Sequence, residues 1–226
     1  MKTIWVVQHT EAEYLGLMED HFEGRNLRFR YLRPFAAGGT IPDTPGASDG
    51  LILLGGGPYG IVSGHILPSL GPELRLVRAF LGAGLPVVGF GLGALILLSA
   101  GGGGAEEAPL RFDVVDTTIT GWNDAAPRHM PLAVYGRDAP YLGPGMTSVA
   151  TGPGGETLGF TVGANSFGLL GNPGMKRGMA EDLIMEFAET PADTLTGLER
   201  LAAAQVAIAE ALHPFMVALI RHTGWM

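Results

Sequence analysis

The segment PVVGFGLGALILLSAGG, Pro86–Gly102, decides the fold. Pro86–Phe90 is a short apolar run with two valines and reads as a strand buried on both faces. Gly91 allows a tight reversal of the chain. Ala94–Ala100 then reads as a helix with no polar stripe, which must be buried on every side. Strand, glycine turn and buried helix in immediate succession are the signature of an α/β sheet. Their junction places the turn at the carboxyl end of a strand, where such sheets bind ligands.

Working outward, the same grammar repeats on the N-terminal side. Ile4–Val7 reads as a first strand, Ala12–His21 as a helix and Leu27–Leu32 (LRFRYL) as a second strand. Phe35–Ser48 is rich in Gly, Pro and Thr and reads as a loop. Asp49–Leu54 (DGLILL) is a third strand, stopped by Gly55, Gly56, Gly57 and Pro58. Glu73–Ala83 carries Leu74, Val77 and Leu81 at helical spacing, and Gly84 is its expected C′ residue. Strands alternating with helices in this way predict a doubly wound, mostly parallel sheet with helices on both faces.

After Gly104 the pattern changes to short strands: Phe112–Thr120, Leu132–Tyr135, Thr147–Thr151, Thr157–Val162 and Ser166–Leu170. Turn signals such as GPGM and GPGGE separate them, so hairpins extend or cap the sheet. Helical periodicity returns after Pro173, and a last helix is expected over Thr194–His222 with a kink at Pro214. From Leu201 to Ile220 that helix is apolar nearly all round. The reading is one domain over 1–190 and a helical extension over 191–226, packed on the domain or on a partner.

The chain has 226 residues, no cysteine and a formal net charge of −8. Disulfides, thiolate metal sites and a cysteine nucleophile are excluded. An acidic chain without a dense Lys/Arg block is not built for nucleic acid. The most apolar stretch, Leu85–Ala100, is shorter than the roughly 20 residues a membrane span needs. The protein is expected to be soluble and cytoplasmic, with no cofactor, no metal and no membrane contact.

The segment GFGLGALILLSAGG resembles the class I glutamine amidotransferase signature G-x-C-x-G-x-Q, as in the amidotransferase domain of GMP synthase. Two more segments agree in order and spacing. Asp49–Ser63 looks like that family's strand and Gly-Gly-Pro loop, which supplies an oxyanion-hole amide. SFGLLGNPGM, Ser166–Met175, looks like its G-x-Q-x-H-P-E block. The resemblance spans about residues 1–190 and implies a flavodoxin-like α/β sandwich. It places Gly91 on the cysteine nucleophile, Asn172 on the histidine base, Gly174 on the orienting glutamate and Leu95 on a polar glutamine.

Those departures remove the chemistry the family depends on. Glycine has nothing to attack with, and an asparagine amide accepts no proton near neutral pH. Losing one such member costs roughly 10⁴ to 10⁶ in rate. The expectation is therefore a non-catalytic subunit, regulator or small-ligand binder, with Gly56, Gly57, Pro58, Gly91, Leu92, Leu95 and Asn172 as the pocket. The rival is changed chemistry on the same fold, carried by His9, Glu11 and His65 near the strand ends, or by a displaced nucleophile among Ser63, Ser99 and Ser166. His21, His129, His213 and His222 read as structural. The C-terminal helix is the expected surface for a homodimer or a foreign protein partner.

Overall fold

The computed structural model describes residues 1–226. In chain order the elements are β1 (Thr3–Val7), α1 (Met18–Glu23), β2 (Arg28–Leu32), β3 (Gly50–Leu53), β4 (Tyr59–Gly60), β5 (His65–Ile66), α2 (Leu70–Gly82), β6 (Val87–Phe90) and α3 (Leu92–Ala100). They continue with β7 (Gly104–Glu106), β8 (Arg111–Ile119), β9 (His129–Gly136), β10 (Ala139–Tyr141), β11 (Met146–Thr151), β12 (Thr157–Val162), β13 (Ser166–Leu169), α4 (Arg177–Glu186) and α5 (Thr194–Thr223). Nine strands form one sheet in the order β2-β1-β3-β6-β13-β12-β11-β8-β9. The first five run parallel and the remaining pairings are antiparallel.

The parallel half follows directly from composition. β3 and β6 are buried along their whole length, as strands covered by helices on both faces must be. Helices α2 and α3 pack together, while α1 packs with α5. Two glycines let α3 sit down on the sheet. A Cβ on Gly93 would lie 2.3 Å from the Leu53 carbonyl oxygen, and one on Gly89 would lie 2.4 Å from the Gly93 carbonyl oxygen.

The expected helix over Ala12–His21 is corrected to Met18–Glu23. Residues 11–17 instead form a loop that crosses the end of the sheet. Gly16 has φ +64°, and the Leu17 amide donates to the Gly174 carbonyl at 3.2 Å. Good local helix formers are overruled there by a tertiary contact, which propensity cannot anticipate.

The β-rich half closes the far edge of the sheet. The Asn172 amide donates to the Ala133 carbonyl of β9 at 2.8 Å, covering part of that strand's free side. The opposite edge, β2, stays open and points Arg28 and Arg30 outward. Helix α5 runs as one element through Pro214. Its second half is not a free surface: Leu212, Phe215, Met216, Leu219 and Ile220 join the main core against the sheet. Its first half shows solvent a face of alanines with Leu195 and Val206. The chain ends with Trp225 buried against Gly50 and Phe22.

Gly93→Ala should therefore cost about 3 kcal/mol or prevent folding, because the colliding atoms are backbone. Gly82→Ala, a helical position with open space around it, should instead raise stability by about 0.5–1 kcal/mol. Urea unfolding midpoints of the two variants check the contrast.

Candidate functional site

The site is built around the end of β6. Gly91 has φ +54° and ψ −119°, a conformation that strains any residue with a side chain. Three backbone hydrogen bonds pin it. The Gly91 amide donates to the Leu169 carbonyl at 2.8 Å, the Gly93 amide to Leu54 at 3.0 Å, and the Ala94 amide back to Gly91 at 3.1 Å. The turn thus stands where the sequence places it, at the carboxyl ends of β3, β6 and β13. A Cβ on Gly91 would sit 3.3 Å from the Gly55 Cα, so even one added carbon is tight.

The glycine loop that follows β3 is held from two sides by buried side chains. His9 is 3 % exposed. Its Nδ1 donates to the Gly55 carbonyl at 2.9 Å, since a carbonyl only accepts. Its Nε2 meets Glu73 Oε2 at 2.8 Å, and Ser69 Oγ donates to the other Glu73 oxygen at 2.5 Å. This row runs serine, carboxylate, imidazole. The hydroxyl touches the carboxylate and not the imidazole, so it is not a nucleophile–base pair. Burial pulls the His9 pKa down, but the Glu73 carboxylate and the hydrogen bonds to Glu73 and Gly55 outweigh it and leave it raised.

From the other side, Glu13 Oε2 accepts the Gly57 amide at 2.9 Å. A Cβ on Gly55 would strike the Glu13 carboxylate at 2.1 Å, which explains the glycine. Burial pushes the Glu13 carboxyl up to about 7, against the Gly57 hydrogen bond and the attraction of His9. Gly56 is covered as well: a Cβ there would be 2.3 Å from Leu92 Cδ2.

Asn172 is 2 % exposed, and its Oδ1 accepts the Gly174 amide at 2.9 Å. Gly174 is a glycine because the loop over residues 11–17 presses on it. A Cβ there would meet the Leu15 carbonyl at 3.0 Å and Met18 Cγ at 3.1 Å.

A cavity of about 430 Å³ opens beside the turn, within the size range of small-molecule sites. Gly91, Leu92, Leu95, Leu170, Tyr59 and Tyr135 contribute to its wall. Of the residues expected from sequence, Gly91, Leu92 and Leu95 line this cavity. Gly56, Gly57, Pro58 and Asn172 are buried near the turn and do not. A second cavity of about 450 Å³ lies between the loop over residues 34–43 and the start of α2, with Tyr59 shared by both walls.

The alternative polar site does not gather. His9 is buried against Glu73, whereas Glu11 and His65 are exposed and no hydrogen bond joins the three. Nor do the serines reach the turn. Ser63 Oγ donates to Asp138, and Ser166 Oγ accepts the Val87 amide at 3.0 Å. Ser99 stands at the far end of α3. In the sequence Glu73 shows only as an acid in a helix's first turn.

Both buried titrations set a pH dependence of the same sign. A raised histidine pKa stabilises the fold at low pH and loses that contribution as pH rises through it. A raised carboxyl pKa means the unfolded chain releases its proton first, so stability falls as pH climbs from the ordinary carboxyl range to about 7. For Glu13 this is roughly 3 kcal/mol. Thermal unfolding is expected to show highest stability near pH 5 and a decline toward pH 8. In Glu13→Gln the decline below pH 7 should flatten.

No protein-family model matches the sequence, and no curated protein matches it. Solved structures do. The glutamine amidotransferase of Methylobacillus flagellatus superposes with a TM-score of 0.81 at 18% identity, over 98% of this chain and 95% of that one. A glutamine amidotransferase of Thermotoga maritima gives 0.78 at 22% identity, over 98% of each. PurLQS from Thermotoga maritima gives 0.54 at 16% identity, over 89% of this chain and 98% of that one. With the elbow at Gly91, the glycine loop after β3 and the mixed sheet in one arrangement, this chain has the fold of the class I glutamine amidotransferases.

Proposed function

We propose that the protein is a catalytically degenerate member of this fold, one that hydrolyses no glutamine and acts as a non-catalytic subunit or regulator holding a small ligand. One observation carries the reading: the elbow keeps its strained backbone at Gly91 but offers no side chain there. The positions that resemblance assigns to base and acid, Asn172 and Gly174, are committed to each other: the Gly174 amide donates to the Asn172 side-chain oxygen. In the triad enzymes a nucleophile, a base and an orienting carboxylate act as a unit. None of the three side chains is present.

The glycine loop supports the same reading. Gly57 gives its amide to Glu13, and Leu92 covers Gly56. An oxyanion would need amides turned toward the elbow and left free. The neighbouring cavity, walled by Leu92, Leu95 and Leu170 together with Arg111, Arg137, Asp138 and Glu156, suits a small ligand with an apolar body and polar ends. A protein partner would meet the exposed face of α5 between Leu195 and Glu210.

Ammonia release from glutamine is expected to match the buffer control. Turnover well above that control would overturn the proposal. Gly91→Cys alone should also stay at background, because the position that resemblance assigns to the base holds Asn172. The double variant Gly91→Cys with Asn172→His is the informative companion, since it adds nucleophile and base together.

A further inference from the structure

Three hydrogen-bond donors from three separate segments act on or feel the Glu13 carboxylate, and one of them makes a hydrogen bond of ordinary length to it. Gly57, in the loop after β3, donates at 2.9 Å. The Tyr135 hydroxyl on β9 and the Asn172 Nδ2 in the loop after β13 are buried and have no partner. Asn172 lies close enough to lower the Glu13 pKa as a donor, while burial and then the Glu13 charge push the Tyr135 hydroxyl up. All three residues are nearly inaccessible: Glu13 is 1 %, Asn172 2 % and Tyr135 3 % exposed. Buried donors left unbonded are disfavoured, and an ionised carboxylate has about four acceptor positions. Here one carboxylate has spare acceptor capacity beside two donors without acceptors.

We propose that Glu13 is a proton-operated latch: its ionised carboxylate draws in the Tyr135 hydroxyl and the Asn172 amide, and its protonation releases them. Protonation removes the negative charge that makes such bonds strong. It also adds an O–H that competes for the same space. Burial already pushes the carboxyl up to about 7, so the change falls at ordinary pH.

The charged groups around Glu13 set the balance. His9, itself paired with Glu73 from α2, favours the ionised form. Glu186 from α4 opposes it while its carboxylate faces the amides of Glu11 and Ala12. Glu189 lies near Tyr135 and is also paired with Arg137. Tyr135 packs on Phe112 at 5.3 Å and forms part of the wall of the cavity beside Gly91. A proton on Glu13 therefore changes that wall.

The test is carbon- and nitrogen-detected NMR titration of the full chain labelled at Glu and Gly. The Glu13 carboxyl carbon is expected to titrate near pH 7, with the Gly57 amide following the same midpoint. Glu13→Gln should hold the Gly57 amide at its low-pH shift throughout. Tyr135→Phe keeps the ring and removes only the hydroxyl. It should move the Glu13 midpoint up by about half a unit or more, because a donor to the charged form is gone. If Glu13→Gln fails to fold, the wild-type and Tyr135→Phe titrations decide alone. The latch is overturned if Glu13 titrates in the ordinary carboxylate range, or if Tyr135→Phe leaves its midpoint unmoved. Neither result depends on whether the protein hydrolyses glutamine.

Discussion

The hydrogen bond from the Gly93 amide to the Leu54 carbonyl, 3.0 Å long, fixes the distance between α3 and β3. It forms only because residue 93 has no Cβ to hold the two backbones apart. Two residues earlier, Gly91 turns with φ +54° and ψ −119°. The same approach sets Gly91 against Gly55 and Leu92 against Gly56. The loop beside the turn is thus shaped by how closely one helix settles on one strand.

Around this contact the fold places its least solvated charges. A histidine and two carboxylates, His9, Glu73 and Glu13, are buried where a solvent-exposed loop would be the ordinary arrangement. Each supports a backbone group of the glycine loop directly or through another. Glycines 55 to 57 have no side chains to hold themselves in place, so the neighbouring segments supply the fixing groups. The loop's rigidity is borrowed from β1 and α2.

Most of the parallel half was legible because β3 and β6 are uninterrupted apolar runs and the turns that follow them are glycines. The elbow at Gly91 was legible for the same reason. Helix α1 was not. Its upstream residues favour helix locally, and only the contact between Gly16 and Gly174, more than 150 positions apart in the chain, makes them a loop. Gly174 itself shows the limit of motif reading. By alignment it is a missing acid, whereas in space it is the gap through which that loop passes. Glu13 escaped notice as a site residue because nothing in TEAEYLG distinguishes an acid that turns inward from its exposed neighbour Glu11.

Strand β2 forms one edge of the sheet. An edge of free backbone donors and acceptors invites pairing with another chain. Here Arg28 and Arg30 alternate along it and stay exposed, so two molecules meeting edge to edge would bring like charges together. In a chain with only 14 lysines and arginines, two of them stand where a second strand would have to pair.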